Sequence, residues 1–168
     1  MEDVSVLFAA LRSDVRIPSK RDEDAGYDIY ASFDEDYKII FPEETAMIPT
    51  GLISAFPSGY VMVLKERGST GTKGIGQRSG VIDSGYRGEW IVPITNHNYR
   101  PIMIVKEGAL KKNTTPNPSH YIIYPYEKAI CQAILLQVPN HTVKHVTVDE
   151  VLAIGSARMD GKFGSSGK

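Results

Sequence analysis

The sequence predicts an all-β fold: a distorted jelly roll or β-sandwich-like barrel with one short helix. Runs rich in Val, Ile, Tyr and Phe recur at short intervals and are bounded by Gly, Pro, Asn and Asp. Pro42, Pro49, Pro57, Pro93, Pro101 and Pro125 punctuate them. No window sustains the 3.6-residue apolar period of a long helix. Many short strands without intervening helices point to a sandwich or barrel rather than to alternating βα units.

The first run is 4–9. Residues 24–31 place an Asp before an alternating apolar strand, with Asp28 as a carboxylate at its edge and Tyr27 in the core. Further strands are expected at 37–41, 46–48, 52–56 and 60–65. The Gly- and Ser-containing stretch 69–74 is the candidate turn of helix. Residues 80–90 read as a hairpin: Val81 and Ile82 enter a sheet, Ser84 and Gly85 turn the chain, and Asp83 and Tyr86 are displayed. Later strands are expected at 90–95, 102–105, 121–124, 129–138 and 143–148. The polar stretch 109–119 reads as a loop and 158–168 as a tail that carries Arg158 and Phe163 among Gly and Ser.

At 168 residues the chain is expected to hold one β-domain over 1–157, followed by a lid motif at 158–168. Nineteen Lys and Arg against twenty Asp and Glu leave a net charge of -1, with no footprint for nucleic acid or membrane. The start lacks the charged and apolar pattern of a signal peptide, and a cytoplasmic protein is expected. The single cysteine, Cys131, sits in a buried-strand pattern and reads as a core thiol rather than a nucleophile.

Two stretches carry chemistry. The carboxylate of Asp83 and the ring of Tyr86, shown together at a turn, suit a pocket for a flat, polar small molecule. Residues 66–73 are phosphate-friendly, because glycines let backbone N–H groups converge on oxyanions and Arg67 and Ser69 add donors. They do not form a Walker A loop. His141 and His145 lie four apart, but in an extended strand that is about 13 Å, too far to share a metal. Asp34, Glu35 and Asp36 lack the spacing of a calcium loop.

Taken in order, these stretches resemble the five motifs of the trimeric dUTPase family (deoxyuridine triphosphate nucleotidohydrolases). Ala25-Gly26-Tyr27-Asp28 matches the first motif in full. Glu66-Arg67-Gly68-Ser69 stands where the family has Pro-Arg-Ser-Ser or Pro-Arg-Ser-Gly. Gly80, Val81, Ile82, Asp83, Tyr86 and Gly88 match the third motif, with Gln77 upstream where Asn is common. Ala129-Ile130-Cys131-Gln132 keeps the Ile and Gln of the fourth. Arg158 and Phe163-Gly164-Ser165-Ser166-Gly167 match the fifth.

The resemblance implies a Mg2+-assisted hydrolysis of dUTP to dUMP and pyrophosphate. Asp83 would activate the water that attacks the α-phosphorus, and Tyr86 would exclude a ribose 2′-OH. Uracil would be read by the hairpin backbone around Gly80, Ile82, Glu89, Trp90 and Ile91. The triphosphate would meet Arg67, Gly68, Ser69, Gln132, Arg158, Gly164, Ser165 and Ser166, with Phe163 closing over the base. Asp28 would act beside the centre, on the metal through water, with substrate phosphates supplying the other metal ligands. A homotrimer with sites shared between subunits is implied.

Four departures touch the phosphate contacts rather than the nucleoside pocket. Gly68 replaces the first Ser of the second motif, and Lys128 stands in for the Arg of the fourth. Met159 replaces a Gly after Arg158, and residues 97–128 form an insertion that could take a protein partner. Two other readings are a dCTP deaminase-like enzyme on the same fold and a regulatory protein on a dUTPase scaffold. The deaminase needs a catalytic Glu, which Asp83 and the tail motif argue against.

Overall fold

The structure, a computed structural model, describes residues 4–156. Its twelve strands are β1 (Leu7–Ala10), β2 (Gly26–Tyr30), β3 (Tyr37–Ile40), β4 (Thr45–Pro49), β5 (Leu52–Ala55), β6 (Tyr60–Lys65), β7 (Ile75–Gln77), β8 (Val81–Asp83), β9 (Ile91–Asn96), β10 (Ile102–Val105), β11 (Ile122–Pro125) and β12 (Ala129–Gln137). They form four open sheets, ordered β1-β5, β11-β10-β3, β2-β12-β6-β8 and β4-β9-β7. All pairings are antiparallel except β10 with β11. The expectation of a β-sandwich-like fold holds. No sheet closes into a barrel among the described residues.

Period-two alternation builds the core. Met62 and Leu64 of β6 point inward while Val61, Val63 and Lys65 do not, and Ile82 of β8 is buried between exposed Val81 and Asp83. Trp90 is fully buried, edge-on to Phe8 at 5.7 Å, and its indole N–H donates to Ser54 Oγ at 3.1 Å. β10 is buried on both faces. Ile102 and Ile104 enter the main core, whereas Met103 and Val105 join Ala109 in a smaller one with Tyr37, Ile39 and Tyr121.

That second core explains the first correction. Instead of one short helix there are three among the described residues, α1 (Gly68–Gly71), α2 (Glu107–Lys111) and α3 (Val148–Leu152), plus a 3-10 turn at Pro118–His120. α2 occupies part of the expected 109–119 loop because Ala109 must cover Met103 and Val105, and Lys111 pairs with Glu107 at 2.7 Å along it. Residues 97–128 hold β10, α2, the 3-10 turn and β11. β10 and β11 pair in one sheet, and α2 and the 3-10 turn lie between them in the chain.

Two other expectations fail. Residues 143–148 form no strand. Thr147 and Glu150 make a reciprocal capping box that starts α3, and every residue over 139–156 is exposed and joins no sheet among the described residues. Residues 80–90 are not a paired hairpin either. β8 pairs with β6, while β9 pairs with β4 and β7, so 84–90 cross from one sheet to another. No helix among the described residues is long and apolar enough to span a membrane.

Candidate active site

The sheet register assembles one half of the candidate site. Asp28 of β2 lies opposite Gln132 of β12, and Gln132 lies opposite Lys65 of β6, so a polar row crosses three strands. β6 then runs into Glu66 and Arg67. Thr70 shapes the turn that follows: its buried hydroxyl accepts from Arg67 N–H at 3.0 Å and starts α1.

Arg67 folds back over the row. Its Nε lies 2.9 Å from Asp28 Oδ1 and its Nη2 3.3 Å from Oδ2, a fork-to-fork pair, while Nη1 reaches Ser69 Oγ at 3.4 Å. Asp28, Arg67, Gly68, Ser69 and Gln132 line one polar cleft of about 520 Å³. At its rim Arg21 forks onto Asp24 at 2.9 Å, and that contact holds the Asp24 carboxyl below the usual range. Behind the sheet, burial pushes the Cys131 thiol up to about 12, with the nearby Asp28 charge adding to it, so Cys131 stays a thiol at neutral pH.

Glu66 is a residue that sequence reasoning missed, and it stands where the family motif has Pro. Its carbonyl accepts from the Gln132 side chain at 2.9 Å, and its carboxylate accepts from Gln77 N–H at 3.1 Å. It thereby ties the Arg67 turn to β12 and β7. Glu66→Ala is expected to cost about 1–2 kcal/mol by denaturant unfolding, with Glu66→Gln recovering most of it because an acceptor oxygen remains.

A second cleft, of about 190 Å³, holds the other half. Gly80, Ile82, Asp83, Tyr86, Glu89 and Ile91 are among its lining residues. Gly80 sits at φ +140, and a Cβ there would stand 2.9 Å from Leu64 O. Gln77 does not point into this cleft. Its side-chain amide donates to the carbonyls of Arg78 and Ser79 at 2.6 and 2.5 Å, bracing the turn into β8. Asp83 is exposed, and its carboxylate makes no hydrogen bond or ion pair among the described residues. Tyr86 is held across the turn, its hydroxyl donating to Glu89 O at 3.0 Å, and a methyl at Gly88 would run into its ring.

Glu89 and Trp90 also hold the turn in place. Glu89 is committed to holding its loop: Oε1 accepts from Gly51 N–H at 2.6 Å and from Arg12 at 3.3 Å. Trp90 lies in the core rather than the cleft. Its N–H is donated to Leu52 O and its C=O accepts from Thr50 Oγ1. Ile82 has its side chain in the core and only borders the cleft. Arg158, Phe163, Gly164, Ser165 and Ser166 lie outside the described residues. The two clefts share no lining residue.

A family model described as dUTPase matches residues 14–109, more than half of the 168. The deoxyuridine 5'-triphosphate nucleotidohydrolase of Wolbachia pipientis is 33% identical over 149 residues, covering 87% of this chain and 82% of its own. The fold is similar to that of the Staphylococcus bacteriophage 80alpha dUTPase with dUpNHpp. Its TM-score is 0.72 at 23% identity, over 98% of this chain and 99% of that one. It is also similar to a mutant dUTPase of S. aureus phage phi11, described with a structural Mg(II) ion. There the TM-score is 0.64 at 23% identity, over 84% and 96% of the two chains. The motif residues gathered at the two clefts and a matched model across most of the β-domain agree: this chain belongs to the dUTPase family.

Proposed function

We propose that this chain is a dUTP diphosphatase that cleaves dUTP to dUMP and pyrophosphate. The observation that carries the reading is the exposed Asp83 carboxylate, without a partner among the described residues, beside a tyrosine locked across the same turn. Open lone pairs let Asp83 take a proton from a water as that water's oxygen bonds to the α-phosphorus. The bond from the α-phosphorus to the bridging oxygen breaks, and pyrophosphate leaves. Tyr86 is fixed by Glu89 O, so its ring cannot yield to a 2′-OH, and exclusion by bulk separates dUTP from UTP. Backbone groups of the Gly80–Ile91 turn read uracil, where a thymine methyl would collide.

The triphosphate falls to the other cleft, against Arg67, Ser69 and Gln132. Mg2+ suits an all-oxygen setting without a protein cage, and Asp28, with both oxygens on Arg67, would hold it through water. When bound, Mg2+ supplies charge neutralisation on the leaving pyrophosphate. Because the clefts share no lining residue, the reading joins half-sites of different subunits in a homotrimer. The exposed segment 136–156, with Val143, Val148, Val151, Leu152 and Ile154 largely uncovered, supports a neighbouring copy lying against it.

Pyrophosphate release from dUTP, dCTP, dTTP and UTP tests the reading. With Mg2+, kcat/KM for dUTP is expected to exceed each of the others by about 100-fold or more. Equal rates on UTP would remove the role given to Tyr86, and no release from dUTP would end the assignment.

A further inference from the structure

A third cleft, of about 380 Å³, opens on the far side of the Asp28–Arg67 pair. It shares Asp28, Arg67 and Ser69 with the first polar cleft, so the two are continuous through the guanidinium. Its new cationic groups are Lys73, just past α1, and Lys128, in the turn that enters β12. Lys73 belongs to none of the five motifs, and Lys128 stands where the fourth has Arg.

The charges around this cleft are unevenly satisfied. Asp28 is occupied by Arg67. Glu127, the other carboxylate of the lining, accepts from Glu107 N–H at 3.3 Å. Arg16 adds a further cation: its guanidinium lies over the Tyr30 ring at 4.9 Å and donates to Glu127 O at 2.7 Å. Lys73 and Lys128 are exposed and make no ion pair among the described residues, whereas Lys38 and Lys111 each hold a carboxylate at 2.6 and 2.7 Å. The lining sets three cations, Arg67, Lys73 and Lys128, against the two carboxylates of Asp28 and Glu127, and a concave surface with a net positive charge recruits an anion.

We propose that Lys73 and Lys128 form a subsite for a phosphate or pyrophosphate group, extending the Arg67 cleft. The inference rests on the diphosphatase reading for the identity of the anion, and on the cleft itself for its existence. Arg67 and Arg21, the cations of the first cleft, each already face a carboxylate, so a polyanion spanning that cleft gains most by reaching the free lysines. Two sources share this chemistry: the terminal phosphate of bound dUTP, and the pyrophosphate released from it. In either case Lys73 and Lys128 bind and orient the anion and touch no reacting atom.

The test compares K73A/K128A with the charge-keeping K73R/K128R in the full chain. Calorimetric titration with inorganic pyrophosphate is expected to show about tenfold weaker binding in the alanine pair, with the arginine pair within about twofold of the parent. Both lysines are exposed, so thermal unfolding is expected to be unchanged. If KM for dUTP rises in parallel at constant kcat and dUMP inhibition stays put, the occupant is the terminal phosphate. If only pyrophosphate binding weakens, it is the released product. Unchanged pyrophosphate binding and unchanged KM overturn the proposal. A parent protein that fails to cleave dUTP, yet loses pyrophosphate binding with the lysines, would leave the subsite standing and the diphosphatase reading fallen.

Discussion

Asp83→Asn is expected to lower dUTP turnover by about 10³-fold or more while leaving nucleotide affinity within about tenfold. The asymmetry follows from what the side chain is asked to do. Asn keeps the size of Asp and can still bond a sugar hydroxyl, so binding of the nucleoside survives. It cannot accept a proton from the attacking water, so the chemical step does not. The substitution is also structurally mild, because the carboxylate is exposed and makes no hydrogen bond or ion pair among the described residues. The backbone of the turn, where Asp83 O accepts from Tyr86 N–H at 3.0 Å, is untouched. Single-turnover kinetics beside titration with a non-hydrolysable dUTP analogue separates the two effects. Turnover near the parent rate would remove Asp83 as the base, and lost affinity with unaltered turnover would recast it as a binding residue.

The sequence carried the strands and the motif residues further than it carried their partners. Local alternation marks β6, with Met62 and Leu64 inward, because period two is a property of the strand itself. Which strand β8 joins is a long-range matter. Val81 and Ile82 announce a strand, yet nothing local says that it pairs with Met62 and Val63 rather than folding back on β9. The same limit applies to Trp90. It follows Glu89 directly and looks like part of the displayed turn, but Leu52 and Thr50 capture its backbone and Ser54 its indole. Glu66 was invisible for a related reason, since its value lies in Gln77 and Gln132, which the fold brings to it. α3 was readable and missed: the Thr147 and Glu150 spacing is a capping-box signature, outweighed by the run of valines around it. The Glu107–Lys111 pair was an equally local sign of α2.

Removing residues 161–168 is expected to reduce dUTP turnover by about 10³-fold or more with the fold intact. The charges of the first polar cleft argue for this. Both of its arginines are already matched, Arg67 to Asp28 and Arg21 to Asp24, and Gly68 supplies no hydroxyl where the family has one. A triphosphate therefore needs donors from elsewhere, and Ser165 and Ser166, with Phe163 to exclude water, are those the fifth motif offers. Thermal unfolding of the truncated chain should match the parent, as expected of a segment that serves the site rather than the fold. A sharper version asks where the tail acts. Asp83→Asn keeps the tail and lacks the base, whereas the truncated chain keeps the base and lacks the tail. If one subunit's tail serves another's Asp83, unfolding the two together and refolding them restores activity at about a quarter of the sites by random assortment. If each chain closes its own site, the mixture stays as inactive as its parts. A fully active truncation would remove the tail from the mechanism altogether.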